Sequence, residues 1–237
     1  MNKRLLATLL ALVALACLVG CEKTYTPDAE VEQYLNTGLT AAKSYAAVAT
    51  ATYSVTESRT TLDGKSTGAF VNEVSIDKTD ENSLKMTISQ QFSGEYVQNG
   101  VCNRVVELYR DQSGYVRKTT TNKEQKEALS ETVAKDYVTS FFFVDNGVYK
   151  EGGLYYGDFF LLNIYKYPAE FFRVEGENCG FKCERNYNDS QIGAVKMNQY
   201  TLINKLGLLV FNTETYVSQE HDLVLSSVLT ATYTYID

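Results

Sequence analysis

The sequence predicts an α+β domain built on a large curved antiparallel β-sheet, a half-barrel. An N-terminal helix and a mid-chain helix are expected on the concave face of this sheet. About ten segments alternate apolar and polar residues, as antiparallel strands with one wet face do, whereas parallel strands are apolar on both sides. Two stretches of helical periodicity interrupt the alternation. A sheet of about ten strands with one apolar face tends to curl, and helices cover such a face.

Residues 1–20 have the layout of a bacterial export signal. Lys3 and Arg4 form a basic start, and an apolar run of about 16 residues follows. A membrane-spanning helix needs roughly 20 apolar residues. The run is therefore short for a span and fits the apolar core of a signal peptide.

The end of this run, Leu18-Val19-Gly20-Cys21, resembles the lipobox of bacterial lipoproteins. The resemblance implies that Cys21 becomes the mature N-terminus and carries diacylglycerol. Cys17 lacks an aliphatic residue three positions before it, and we expect it to be removed with the signal. The alternatives are an ordinary signal peptide and a single-pass anchor. Two or more lipid chains anchor a protein stably, so we expect an exported protein held on the cell membrane or the outer membrane by lipidated Cys21.

This cleavage gives three regions: a signal peptide at 1–20, a tether at 21–27 and a single α+β domain at 28–237. The tether spans at most about 25 Å, which places the domain close to the bilayer. The mature part has 20 Lys and Arg against 29 Asp and Glu, a net charge of −9. An acidic surface repels nucleic acid, so the expected partners are the membrane, a lipid or another envelope protein.

The first helix is predicted to begin at Thr26, a favourable N-cap, and Pro27, a favourable first helical residue. Apolar residues recur at helical spacing as far as Ala46, where the period changes from 3.6 to 2. In the strand that follows, Ala51 and Tyr53 share the apolar side. Five strands are expected in this half, at 48–60, 67–76, 84–92, 101–110 and 114–120.

A second helix is predicted to start near Thr121, because the tetrapeptide from Thr121 to Glu124 fits a capping box. Its apolar stripe, at intervals of four, would consist of Leu129, Val133, Tyr137 and Phe141. Glu131 and Lys135 make a favourable pair on the same helix.

An unusually aromatic segment follows, in which 12 of the 32 residues from 141 to 172 are Phe or Tyr. Two interpretations stay open. The rings are packed core beneath the second helix, or they line a cavity or a membrane-touching lip, for which tyrosine is well suited. The ligand-cavity candidates are Phe141, Phe142, Phe143, Tyr155, Tyr156, Phe159, Phe160 and Tyr165.

Five more strands complete the pattern, at 172–178, 183–187, 194–203, 208–217 and 223–236. This order of elements resembles the lipoprotein-carrier fold of LolA, LolB and LppX. In that fold helices plug a curved half-barrel and leave an apolar cavity for acyl chains. The stretch YTLINKLGLLV at 200–210 is similar to a strand–turn–strand late in the fold. The absence of Trp departs from the carriers, and the resemblance assigns no functional residues.

Nothing in the sequence predicts catalysis. The one histidine, His221, lies in an expected solvated turn. Neither the nucleophile motif G-x-S-x-G nor a phosphate-binding glycine loop occurs. We therefore expect no enzyme activity, no catalytic residues, no cofactor and no metal.

Three further cysteines leave several states open. Exported proteins often form disulfides, and Cys179 and Cys183 are separated by Gly-Phe-Lys. On a straight strand they would be about 13 Å apart, too far to bond, although Gly180 would permit a turn. A Cys179–Cys183 disulfide, a bridge from Cys102 to either of them, and three reduced thiols are the alternatives. A zinc site would require the three thiols and His221 to come together in the fold by chance.

The leading hypothesis is a membrane-anchored, non-enzymatic lipoprotein that binds an apolar or amphiphilic ligand, a lipid, in the cavity of its curved sheet. The alternative is a structural or interaction lipoprotein that docks another envelope protein and has no ligand cavity. Cavity volume distinguishes them, since a hollow of several hundred Å³ lined by Phe and Tyr favours a ligand.

Overall fold

A computed structural model of the protein describes residues 41–80, 82–142, 169–173, 178–190 and 193–236. The predicted signal peptide, the lipidation site Cys21, the tether and most of the first helix lie outside the described residues. The described elements, in chain order, are α1 Ala41–Ala47, β1 Val48–Thr60, β2 Ser66–Asp77, β3 Lys85–Gly94, β4 Asn103–Asp111, β5 Gly114–Thr120, β6 Glu124–Leu129, α2 Glu131–Thr139, β7 Ala169–Arg173, β8 Cys179–Asp189, β9 Gly193–Ile203, β10 Leu209–Ser218 and β11 Leu223–Tyr235. No helix within these ranges is long and apolar enough to cross a bilayer.

The strands form one eleven-stranded sheet in the order β6-β5-β4-β3-β2-β1-β11-β10-β9-β8-β7. Every pairing is antiparallel. Two meanders therefore run outwards from a central seam between β1 and β11, and β6 and β7 are the two edges. The sheet is curved and does not close. This confirms the predicted fold class, an α+β half-barrel with helices on its concave face.

The alternation of the first strand is confirmed residue by residue. Ala51 and Tyr53 are buried, at 0% and 5% exposure, while Thr50 and Thr52 point to the outer face. Their hydroxyls pair across the seam with Thr234 and Thr232, at 2.7 and 2.6 Å. Such cross-strand pairs stabilise antiparallel sheets.

The predicted start of the second helix is wrong. Residues 124–129 form the edge strand β6, which pairs with β5, and α2 begins only at Glu131. Ser130 is its N-cap, and the Ser130 side chain accepts a hydrogen bond from the Val133 backbone N–H. Both Thr121 and Ser130 are residue types that cap helices, so the local signal alone did not distinguish them.

The predicted apolar stripe is confirmed in part, because Leu129, Tyr137 and Phe141 pack against the core but Val133 does not. Ala134 and Val138 are fully buried, whereas Val133 is 49% exposed. The predicted ion pair is confirmed, with Lys135 Nζ 2.7 Å from Glu131 Oε1.

The core lies between the two helices and the concave face. Its strand residues form adjacent rows across the sheet, and they include Ala51, Tyr53, Val74, Ile76, Met86, Ile88, Val106, Leu108, Leu229 and Ala231. These rows occupy the end of the sheet where α1 enters, so the other end of the concave face is left with a different, more polar lining.

Candidate functional site

Phe141 and Phe142 join α2 to the sheet. The Phe142 ring is fully buried and meets the Tyr45 ring edge-on, with centroids 5.2 Å apart. The Phe141 ring lies 6.5 Å from Tyr53 and 5.8 Å from Tyr137. Phe142 therefore belongs to the packed core beneath the helix. The other cavity candidates, Phe143, Tyr155, Tyr156, Phe159, Phe160 and Tyr165, lie outside the described residues.

A cavity of about 600 Å³ lies beside α2 on the concave face. We call it the basic trough. It is lined by Arg104, Val106, Arg117, Thr119, Gln125, Lys126, Glu127 and Tyr137. Strand register explains most of this set, because Val106 is opposite Thr119 and Thr119 is opposite Gln125, with Arg117 opposite Glu127 in the next row. Tyr137, from the last turn of α2, closes one side.

Ion pairs engage two of the three cations that line the trough. Arg117 Nη2 donates to Glu127 Oε2 at 2.5 Å, and its guanidinium lies over the Tyr137 ring, 5.3 Å from the centroid. Lys126 pairs with Glu124 at 3.3 Å. Arg104 is exposed and has no hydrogen-bond or ion-pair partner within the described residues. The trough thus presents one oriented and one unengaged guanidinium.

Three aromatic rings, the aromatic trio, lie on the concave face beyond the Arg104 end of the trough. Phe70 stacks on Phe92 with centroids 5.2 Å apart and on Tyr96 with centroids 6.2 Å apart. Phe92 follows Gln90 on the concave side of β3, and Gln90 is directly opposite Arg104. Diagonal neighbours of this kind are about 7–8 Å apart. An apolar, half-buried surface therefore adjoins the unengaged arginine.

The loop that carries Tyr96 depends on a glycine. Gly94 has φ +57°, and a Cβ there would lie 2.0 Å from the Thr67 carbonyl oxygen. Only glycine allows this close approach. Burial raises the pKa of Tyr96, and the Glu57 carboxylate, which is hydrogen-bonded to the phenol, raises it further. The Tyr96 ring therefore stays neutral where it stacks on Phe70.

A carboxylate network occupies the other half of the concave face. Glu214 Oε1 accepts hydrogen bonds from Gln199 Nε2 and Asn212 Nδ2, both at 3.0 Å, and Oε2 accepts one from the Tyr216 hydroxyl at 2.6 Å. Thr201 donates to Asn212 Oδ1 at 2.7 Å. The side chains share the concave side of β9 and β10 because of their register. The network holds Glu214 in one orientation.

The cysteines are not joined as the first alternative expected. Cys102, Cys179 and Cys183 are all thiols, and Cys179 and Cys183 lie four residues apart on the continuous strand β8. Extended backbone separates them by about 13 Å, beyond disulfide reach, and Gly180 makes no turn. Burial raises the pKa of the Cys183 thiol, with Arg185 opposing the shift.

A second cavity of about 430 Å³ lies across the outer side of the central strands. Hydroxyl groups dominate its lining, including those of Thr52, Ser54, Ser75, Thr87 and Ser89. It is therefore separate from the trough on the concave face.

Sequence reasoning missed the arginines of the trough. Arg104 and Arg117 lie in strands that were predicted, at alternate positions that share a face with Val106 and Thr119. The signal was present in the alternation, but it becomes a site only when the register of β4 and β5 is known. Among the described residues, no group of three or more His, Cys, Asp or Glu side chains is placed to hold a metal ion.

Comparisons with known proteins add little to this geometry. No protein-family model matches the chain, and no curated protein matches it. Among solved structures, the chain is similar to the crystal structure of LprF from Mycobacterium bovis, with 8% sequence identity and a TM-score of 0.37 over 90% of this chain and 94% of that chain. A likeness at this TM-score carries no argument, so the assignment of the fold rests on the sheet itself.

Proposed function

We propose that this protein is an exported, membrane-anchored lipoprotein that binds an amphiphilic ligand, a lipid, on the concave face of its sheet. The observation that carries the proposal is the cavity of about 600 Å³ beside α2, which is within the 300–1,000 Å³ range of small-molecule sites. Its lining is charged rather than the Phe and Tyr lining expected from the sequence. That lining favours a ligand with a polar head.

The aromatic trio supplies the complementary surface. Phe70, Phe92 and Tyr96 are half-buried, and Phe92 is the diagonal cross-strand neighbour of Arg104. Apolar chains that cover such rings gain roughly 25 cal/mol per Å² removed from water. A head in the trough and a chain on the trio would thus use both halves of an amphiphile.

The proposed role is non-enzymatic. His221 is exposed in the turn between β10 and β11, far along the strands from the buried thiol of Cys183. Nucleophilic catalysis requires a nucleophile and a base within hydrogen-bond reach. The arrangement of these groups supports binding rather than turnover.

The test is mass spectrometry of the full chain purified from membranes under mild conditions. We expect an intact mass that lacks residues 1–20 and carries a lipid on Cys21, and a co-purifying amphiphile in the organic extract. The extracted protein should also bind a fluorescent fatty acid. A chain with neither a bound amphiphile nor fatty-acid binding would refute the ligand hypothesis and favour docking to another envelope protein. An unlipidated Cys21 would refute the anchor.

A further inference from the structure

We propose that the basic trough binds the phosphate group of an organic phosphate, supplied either as a free ester or as a phospholipid headgroup. The inference goes beyond the proposed function, because it assigns a site and a ligand chemistry that do not depend on any apolar chain. It rests on the charges, donors and shape of one cavity.

The trough has an excess of donors. A guanidinium carries five N–H donors, and Arg117 uses Nη2 on Glu127, while Arg104 engages no partner among the described residues. Thr119 and Gln125 add neutral donor groups between them. The one carboxylate in the lining, Glu127, is already bound to Arg117. An anion is therefore the ligand that satisfies these groups.

The positive charge is local and opposes the charge of the whole chain. The protein has a net charge of −7, yet Arg104 and Arg117 line this cavity against the single carboxylate of Glu127, while Lys126 is paired with Glu124. A mainly acidic surface repels anions, so an anion would be directed to the basic trough. Planar guanidinium forks match phosphate oxygens in pairs.

The dimensions favour an organic phosphate over a bare ion. In strand register, Leu108 is opposite Arg117, so Arg104 is offset from Arg117 by four residues along the strand. Their Cα atoms are about 14 Å apart. A phosphate held at Arg104 leaves space for the rest of the ester towards Arg117 and Tyr137. Tyr137 is fixed there by the cation–π contact with Arg117.

The test compares phosphate-bearing compounds with matched compounds that lack phosphate. Calorimetry at low ionic strength compares the binding of sn-glycerol 3-phosphate with that of glycerol to the full chain in nonionic detergent. Native mass spectrometry compares the binding of dioleoyl phosphatidic acid with that of dioleoylglycerol. We expect at least one phosphate compound to bind more tightly than its match, and added salt to weaken that binding.

The decisive variant is Arg104→Gln, which changes an exposed side chain and should fold normally. It should weaken phosphate binding about tenfold, or about 1.4 kcal/mol. The matched control is Arg110→Gln, which removes the same charge from the same strand, about 20 Å away. We expect the control to change the dissociation constant by less than about twofold.

The outcomes separate the two sources and the proposed function. Binding of glycerol 3-phosphate that depends on Arg104 indicates a free ester, and binding of phosphatidic acid alone indicates a headgroup. Phosphate binding without fatty-acid binding would support the phosphate site and refute the hypothesis that the protein binds an amphiphilic ligand. The inference is overturned if neither phosphate compound exceeds its match, or if Arg104→Gln and Arg110→Gln weaken binding equally.

Discussion

Lys78 is the residue that fixes the junction of helix and sheet. Its side chain is buried at 6% exposure, and Nζ donates to the backbone carbonyls of Tyr45 and Val48, the latter at 2.8 Å. It also lies 3.7 Å from the centroid of the Tyr45 ring. The final carbonyls of a helix have no intrahelical partner, and a cation there also meets the negative end of the dipole. Lys78, directly after the end of β2, thus caps α1.

Replacing Lys78 with Met keeps the apolar stem and removes the donors. Two buried carbonyls lose charge-assisted hydrogen bonds, so we expect a loss of about 2–4 kcal/mol in the free energy of unfolding. Urea unfolding followed by circular dichroism measures it. Lys85→Met, on the exposed side of β3, is the control and should change stability by less than about 0.5 kcal/mol. Equal effects of the two variants would contradict the capping role.

Helix α2 packs against the core with Val138 rather than with Val133. Val138 is fully buried and Val133 is 49% exposed, so the same substitution at the two sites tests the orientation of the helix. Val138→Ala removes two buried carbon groups and should cost about 2 kcal/mol. Val133→Ala should cost less than about 0.5 kcal/mol, because Ala is also the better helix former. Thermal and urea unfolding of both variants measure these losses. A larger loss for Val133→Ala than for Val138→Ala would contradict this packing of the helix.

The strands were predicted closely and the edge strand was not. β1 and β5 begin and end at the predicted residues. In β1 the alternation of buried and exposed residues from Ala51 to Tyr53 imposes a period of two. β6 has no such alternation, since residues 124–128 are all exposed, and its residues Glu, Gln, Lys and Ala favour helices. Only pairing with β5 makes it a strand. The hydrogen bonds between β6 and β5 make this segment a strand, and the sequence of the segment alone does not reveal them.

The candidate site was beyond sequence reasoning for a related reason. The aromatic segment drew attention by composition, yet Phe142 is part of the core. Arg104 and Arg117 become neighbours across one cavity only through the register of β4 and β5. The trio likewise joins Phe70 and Phe92, which are 22 positions apart in the chain. Register is set by the summed pairing of the whole sheet, so such sites require the fold.

For the whole molecule, the seam between β1 and β11 joins the two meanders into one sheet. Two tyrosines lie beside it, the buried Tyr53 opposite Ala231 and the partly buried Tyr233 opposite Ala51. The Tyr233 hydroxyl donates to the Leu209 carbonyl at 2.5 Å. Burial raises the pKa of both phenols well above the ordinary value, and neighbouring tyrosines add to the shift. The seam therefore requires both rings to be neutral.

This requirement predicts a stability that falls in alkali. A phenol whose pKa is raised in the folded state contributes fully below the unfolded value of about 10, and its contribution is lost as pH rises above it. Each of the two tyrosines should cost about 1.4 kcal/mol per pH unit from pH 10 upwards. Urea unfolding at pH 8 and pH 11 measures the loss. Tyr53→Phe removes one of these phenols and should reduce the loss at pH 11 by about 1.4 kcal/mol. If Tyr53→Phe retained the full wild-type loss, ionisation at the seam would not be what limits the fold in alkali.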